Sequence, residues 1–185
     1  MKILLASGSP RRAKILRERG VDFDVVRTDA PEASYPADPV RTVLENARAK
    51  GAAARAALRS PLPVLSADTV VWRDGRIYGK PRDRAEARAF LRELSGRVHS
   101  VFTGVAFDGR SVAVRSDVTF RDLTDATIDA YIDAVDPLDR AGAYDIDACG
   151  ERLVASYTGT YENIMGLPLE PLEEWGILPQ WTRVP

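Results

Sequence analysis

The sequence predicts an α/β fold, read as one domain over residues 1–185, and three observations carry that prediction. Short apolar runs of strand length alternate with longer stretches whose apolar residues recur at helical spacing. Two Asp-Gly pairs, Asp74-Gly75 and Asp108-Gly109, each lie between strand-like runs, as tight turns do. A chain of 185 residues with 45% apolar and 29% charged residues can bury a sizeable core and matches one soluble globular unit.

The elements follow in order. Ile3-Leu4-Leu5-Ala6 reads as a short buried strand. Ser9 and Pro10 read as an N-cap and a first helical position, opening a helix that runs to about Arg19 and stops at Gly20. Phe23 to Val26 is a strand, followed by an acidic, proline-containing loop over about Asp29 to Pro39. A long helix from about Val40 to Leu58 carries Val43, Ala47, Gly51 and Ala54 on one stripe. Val64 to Trp72 is an apolar strand that turns at Asp74-Gly75 into Arg76-Ile77-Tyr78. Asp83 and Glu86 form a capping box for a helix burying Ala87, Phe90, Leu91 and Leu94. Strands over about Val98 to Phe107 and Ser111 to Arg121 meet at Asp108-Gly109. Thr124 caps a helix with Ile128, Tyr131, Ile132 and Val135. The last third is rich in turn residues, with one strand near Arg152 to Ser156.

Composition narrows the chemistry. A formal net charge of −1 gives no global attraction to nucleic acid or a membrane surface, and no apolar run approaches a membrane span. The N-terminus lacks a signal-peptide pattern, so the cytoplasm is the expected compartment. Cys149 is the only cysteine, which removes internal disulfides and thiolate metal clusters, and His99 is the only histidine, which argues against a zinc site. Of 26 basic residues only Lys2, Lys14, Lys50 and Lys80 are lysines, so a retained lysine marks a place that calls for a compact, mobile charge.

Two segments stand out chemically. In Ser7-Gly8-Ser9-Pro10-Arg11-Arg12-Ala13 two arginines occupy the first helical turn, where the helix dipole disfavours each cation by roughly a few tenths of a kcal/mol. A bound anion removes the conflict, because free N–H groups, two hydroxyls and two guanidinium groups converge where a phosphate would sit. An anion-free clamp of this kind repels itself, so removing Arg12 or Lys80 is expected to cost little stability. The second segment holds Asp68, a carboxylate within an apolar strand that needs a cation, a metal or hydrogen bonds. Lys50, Lys80 and Glu32 are unremarkable singly: a snorkelling lysine, a loop lysine and a solvated loop carboxylate. Taken together, two arginines, two lysines and a helix N-terminus suit a polyphosphate, and two carboxylates suit a divalent cation bridging its oxygens. There is no Walker A motif and no dinucleotide-binding glycine fingerprint.

Seven segments, taken in order, resemble the Maf family of nucleotide pyrophosphatases, the septum-formation-inhibitor-like proteins. They are Leu5 to Arg12, Ala67 to Val71, Gly79-Lys80-Pro81-Arg82-Asp83, Leu94-Ser95-Gly96-Arg97, Thr103-Gly104-Val105, Ala141-Gly142-Ala143-Tyr144 and Gly166-Leu167-Pro168-Leu169. The resemblance implies an elongated mixed-sheet fold related to the inosine-triphosphate pyrophosphatases, with two lobes around a central cleft. It implies hydrolysis of a nucleoside triphosphate to monophosphate and pyrophosphate, a role in removing unwanted nucleotides, and a link to cell-division arrest. By the resemblance Ser7, Arg11, Arg12, Glu32, Lys50 and Lys80 bind substrate, and Asp68 is the general base. Asp68 and Glu32 hold Mg²⁺ or Mn²⁺, and a homodimer is expected. Arg11, Thr69 and Asp147 fall at positions that read the base. The dTTP/UTP branch carries Tyr-Gly-Ile-Gln-Gly where this chain has Tyr144-Asp145-Ile146-Asp147-Ala148. An ionised carboxylate only accepts hydrogen bonds, whereas the carboxamide both donates and accepts. The resemblance therefore leans to dTTP and UTP, with CTP or 7-methyl-GTP as alternatives. A nucleotide-binding regulator of septum formation with little catalysis is the rival reading.

Overall fold

A computed structural model describes residues 1–179. Its elements run β1 (Lys2–Ala6), α1 (Pro10–Glu18), β2 (Asp22–Val26), α2 (Pro39–Leu58), β3 (Val64–Arg73), β4 (Arg76–Tyr78), α3 (Arg84–Leu94), β5 (Val98–Phe107), β6 (Arg110–Phe120), α4 (Asp125–Val135), β7 (Val154–Thr158), α5 (Tyr161–Met165) and α6 (Glu170–Glu174), with three short 3₁₀ turns between α4 and β7. The expected elements are therefore present, with two shifts. The strand placed near Arg152 to Ser156 begins at Val154, because Gly150–Arg152 winds into a 3₁₀ turn instead. Two five-residue helices, α5 and α6, lie in the turn-rich last third; each is too short to show helical periodicity. Residues 180–185 of the expected domain lie outside the described residues.

The strands form one mixed sheet in the order β2-β1-β3-β5-β6-β7, with β4 beside β3. β1 is parallel to β2 and β3, and the remaining pairs are antiparallel. Both Asp-Gly turns have positive φ at both residues, 49° and 79° at Asp74-Gly75 and 44° and 86° at Asp108-Gly109, which the right-handed twist of a two-residue hairpin favours.

Two large apolar clusters hold the helices to the sheet. One packs Leu16 of α1, with Leu167 and Leu172, against Ile3, Leu5, Leu65 and Val105. The other packs α3 and α4, through Phe90, Leu91, Leu94, Ile128 and Tyr131, against Val71, Val101 and Phe120. His99 belongs to this second region. Its Nε2 lies 3.0 Å from the Tyr144 hydroxyl, and burial pushes its pKa down to about 4, so it is a neutral core residue.

The helix α2 lies close on the sheet because two contacts admit no larger side chain. A Cβ on Gly104 would stand 2.4 Å from the Val43 carbonyl oxygen, and one on Gly51 would stand 2.9 Å from Ser66 Oγ. Ser66 Oγ donates to the Ala47 carbonyl at 2.7 Å, which fixes the register of helix on sheet. Gly104 is the β5 partner of Asp68, so this close approach brings the middle of α2 over Asp68.

Candidate active site

The cleft forms at a gap in the sheet. β1 ends at Ala6, paired with Ser66, and β4 begins its pairing with β3 only at Val71. Along that edge Asp68, Thr69 and Val70 have no strand beside them, so a crevice opens at the carboxyl end of β1. Sheets that bind ligands commonly use such a position. The cleft has a volume of about 830 Å³. Ser7, Arg11, Arg12, Glu32, Lys50, Asp68, Thr69 and Lys80, drawn from separate segments, all line it.

Strand alternation assigns Asp68 and Thr69 to different neighbours. Asp68 shares its face with Ser66, under α2. Its Oδ1 accepts from Lys50 Nζ at 2.6 Å and its Oδ2 accepts from Asn46 Nδ2 at 3.0 Å. Lys50 Nζ also lies 2.7 Å from Glu32 Oε1, so one ammonium joins the strand carboxylate to the acidic loop. Asn46 secures that loop further. It accepts from Ala33 N at 2.7 Å and donates to Ala33 O at 3.0 Å. Sequence reasoning missed Asn46. Its signal was a buried-face polar residue, on the stripe side of a helix and four residues before Lys50.

Thr69 points to the opposite face, toward α1 and α5. Arg12 is only 8% exposed there and donates three ways: Nε to Gly166 O at 2.8 Å, Nη1 to Ser7 Oγ at 3.0 Å, and Nη2 to Thr69 Oγ1 at 2.9 Å. Burial lowers its pKa to about 10, partly opposed by the charge of Asp68, so it stays a cation at neutral pH. Thr103 Oγ1 spends its proton on Asn163 O at 3.0 Å, so the 2.9 Å contact between the two threonines takes its proton from Thr69. Thr69 thus faces the cleft as an acceptor only. The expectation that Arg12 is a free, self-repelling clamp needs correcting. It is a buried tie between α1, β3 and the turn at Gly166, with two N–H groups left over for a ligand.

The start of α1 is open. Ser9 makes no side-chain cap, and its own N–H instead donates to Ser7 Oγ at 3.2 Å. First-turn N–H groups are therefore left for an acceptor in the cleft. Arg27 and the exposed Lys80 add cationic lining.

The position that the resemblance assigns to base reading is occupied differently from expectation. Asp147 does not line the cleft. Its carboxylate lies 2.6 Å from Lys14 Nζ and accepts from the Tyr161 hydroxyl at 3.1 Å. The acidic residue of this segment that does line the cleft is Asp145, 5% exposed and bonded to Arg11 Nη1 at 2.9 Å and Arg140 Nε at 2.8 Å. The physical reason is the two-residue step: Asp147 N–H donates to Asp145 Oδ1 at 3.0 Å, a tight turn that sends the Asp147 side chain to the α1 surface. Asp147→Gln is accordingly expected to leave the ranking of triphosphates unchanged in kcat/KM assays, and a shift of the ranking toward dTTP and UTP would contradict this placement.

Asp68 and Glu32 aim two oxygens at one cation, now the Lys50 ammonium. Among the described residues no group of three or more His, Cys, Asp or Glu could hold a metal ion. Two carboxylates do not make a dedicated cage, but they fit Mg²⁺, which takes one or two carboxylates and completes its octahedron with phosphate oxygens and water.

Fold and cleft together define an α/β protein with a carboxylate set beside cations in an open cleft. Residues 2–175 match the Maf-like protein family, and the chain belongs to it. A dTTP/UTP pyrophosphatase of Escherichia coli O157:H7 is 43% identical over 172 residues, covering 90% of this chain and 87% of that one. A dTTP/UTP pyrophosphatase of Bacillus anthracis (strain CDC 684 / NRRL 3495) is 41% identical over 179 residues, covering 92% of each. Among solved structures, the Staphylococcus aureus Ham1 protein is 17% identical with a TM-score of 0.46, covering 68% of this chain and 73% of that one. That likeness is too low to bear on function. No helix among the described residues is long and apolar enough to cross a membrane.

Proposed function

We propose that this protein hydrolyses nucleoside triphosphates to the monophosphate and pyrophosphate, with dTTP and UTP as its preferred substrates. The observation that carries the reading is Asp68, held between Lys50 and Asn46 at the edge of a cleft that brings arginines and lysines together with an uncapped helix N-terminus. The two pyrophosphatase relatives support the substrate class.

The chain's own groups divide the work. Open α1 N–H groups, the two spare donors of Arg12, and Lys80 bind phosphate oxygens. Lys50 exchanges part of its carboxylate pairing for the triphosphate. Asp68, oriented by Asn46, positions a water on the α-phosphorus and takes its proton. The pyrophosphate leaves toward the lysines, whose charge stabilises the oxygens it carries away. A Mg²⁺ or Mn²⁺ arriving with the triphosphate, held by Asp68 and Glu32, would supply further charge stabilisation at the phosphates. The cytoplasm and a homodimer belong to the same proposal, and light scattering tests the dimer.

Product identification with isotopic water is the decisive experiment. Pyrophosphate release with ¹⁸O recovered in the nucleoside monophosphate supports the proposal. Orthophosphate release, or label in the pyrophosphate, overturns it. Lys80→Ala is expected to raise KM for the triphosphate roughly 10-fold or more, as loss of one charge-assisted contact does, with almost no change in Tm because Lys80 is exposed. Unchanged kinetics would remove Lys80 from the clamp.

A further inference from the structure

Arg11 and Asp145 together present a donor beside an acceptor on the cleft wall. Arg11 Nη1 lies 2.9 Å from Asp145 Oδ2, and both residues line the cleft. Asp145 is buried and triply held: Arg11 and Arg140 share its Oδ2, and its Oδ1 accepts from Asp147 N–H. Oδ1 therefore retains acceptor capacity beyond the bond it already makes. Burial pushes the carboxyl up, but the charge and hydrogen bond of Arg11, with the hydrogen bonds from Arg140 and Asp147 N–H, outweigh it and hold it below the usual range. Arg11, fixed at Nη1, keeps further N–H groups for a ligand. The pair thus puts spare N–H donors and spare carboxylate acceptor capacity side by side among the residues that line the cleft.

We infer that the Arg11–Asp145 pair reads the base by taking a carbonyl oxygen on Arg11 and the adjacent ring N–H on Asp145. The inference rests on the proposed triphosphate hydrolysis and adds to it the group that selects the base. Two residues thereby do what one carboxamide does, since neither a guanidinium nor a carboxylate alone can both donate and accept. The matching edge is O4 with N3–H in uracil and thymine. Guanine carries the same pattern at O6 with N1–H, so base size, rather than this pair, separates it from the pyrimidines. Cytosine and adenine present the inverse edge, an amino group beside a bare ring nitrogen. Each would set donor against donor and acceptor against acceptor.

The test compares kcat/KM for UTP, CTP and N3-methyl-UTP, by pyrophosphate release, in the parent and in Asp145→Ala. The parent should prefer UTP over each of the other two by roughly 10-fold or more, the scale of one lost polar contact in base recognition. In Asp145→Ala both preferences should shrink several-fold. A role confined to holding Arg11 and Arg140 in place would instead lower kcat/KM for all three by a similar factor. Equal use of UTP, CTP and N3-methyl-UTP by the parent overturns the inference while leaving pyrophosphate release intact. Preferences that survive in Asp145→Ala overturn it as well, because the acceptor then lies elsewhere, Thr69 being the alternative. Absence of pyrophosphate release from every triphosphate removes the proposed function and this inference with it. Should Asp145→Ala fail to fold, Asp145→Asn keeps the volume and is read in the same way. Its carboxamide places an NH₂ among the arginine donors or toward the base, so the preference for UTP should again fall.

Discussion

Asp68→Asn is expected to lower kcat by about 100-fold or more with the fold retained, the scale on which loss of a general base is felt. The side chain keeps its shape, so the packing of β3 on β5 and α2 should survive. Its hydrogen bonds do not all survive. Asp68 now accepts from Lys50 on one oxygen and from Asn46 on the other. A carboxamide has a single acceptor oxygen, so one of those donors meets an NH₂ instead. The variant should therefore lose some order in the acidic loop beside Ala33 and Glu32, visible as a small drop in Tm. Thermal unfolding and single-turnover hydrolysis on the same preparation separate the two effects. Near-normal turnover in the folded variant would remove Asp68 from the reaction.

Arg12→Ala is expected to be the most destabilising change in the cleft, by about 3 kcal/mol or more. It removes a buried cation together with its three hydrogen bonds and leaves Gly166 O, Ser7 Oγ and Thr69 Oγ1 each short of one donor. For a chain of this size that is a fall in Tm on the order of 6–12 °C. Arg12→Lys should recover only part of it, since an ammonium cannot span the positions of Gly166 O, Ser7 Oγ and Thr69 Oγ1 as a planar fork does. Lys80→Ala, with its small expected change in Tm, is the control. If Arg12→Ala melts as the parent does and only binds triphosphate more weakly, Arg12 is the free phosphate clamp that its position in the helix suggests.

These two residues show how far the chain could be read. Asp68 was legible because a carboxylate within an apolar strand has to be compensated somewhere, whereas Lys50 reads singly as a snorkelling lysine and joins the site only in company with the other charged residues. That Lys50 and Glu32 form one bridge with Asp68 was not legible, because it depends on how closely α2 approaches β5 at Gly104. Arg12 was assigned to the right cleft with the wrong main partners. The motif points to Asp147, and the turn held by Asp147 N–H on Asp145 Oδ1 presents Asp145 instead.

The sequence by itself determined the order of the strands and of the four longer helices, the two Asp-Gly turns, the helix opening at Ser9-Pro10 and the family of the chain. Each of these rests on local periodicity, turn chemistry or motif order, which residues near one another in the chain establish. The tertiary structure alone decided which polar groups meet. Arg12 finds Thr69 57 positions away and Gly166 154 positions away, and Arg11 finds Asp145 134 positions away. Whether a long cationic side chain ties segments together or waits for a phosphate depends on which distant acceptors the packed sheet and helices bring within about 3 Å of it, and no local pattern encodes that distance.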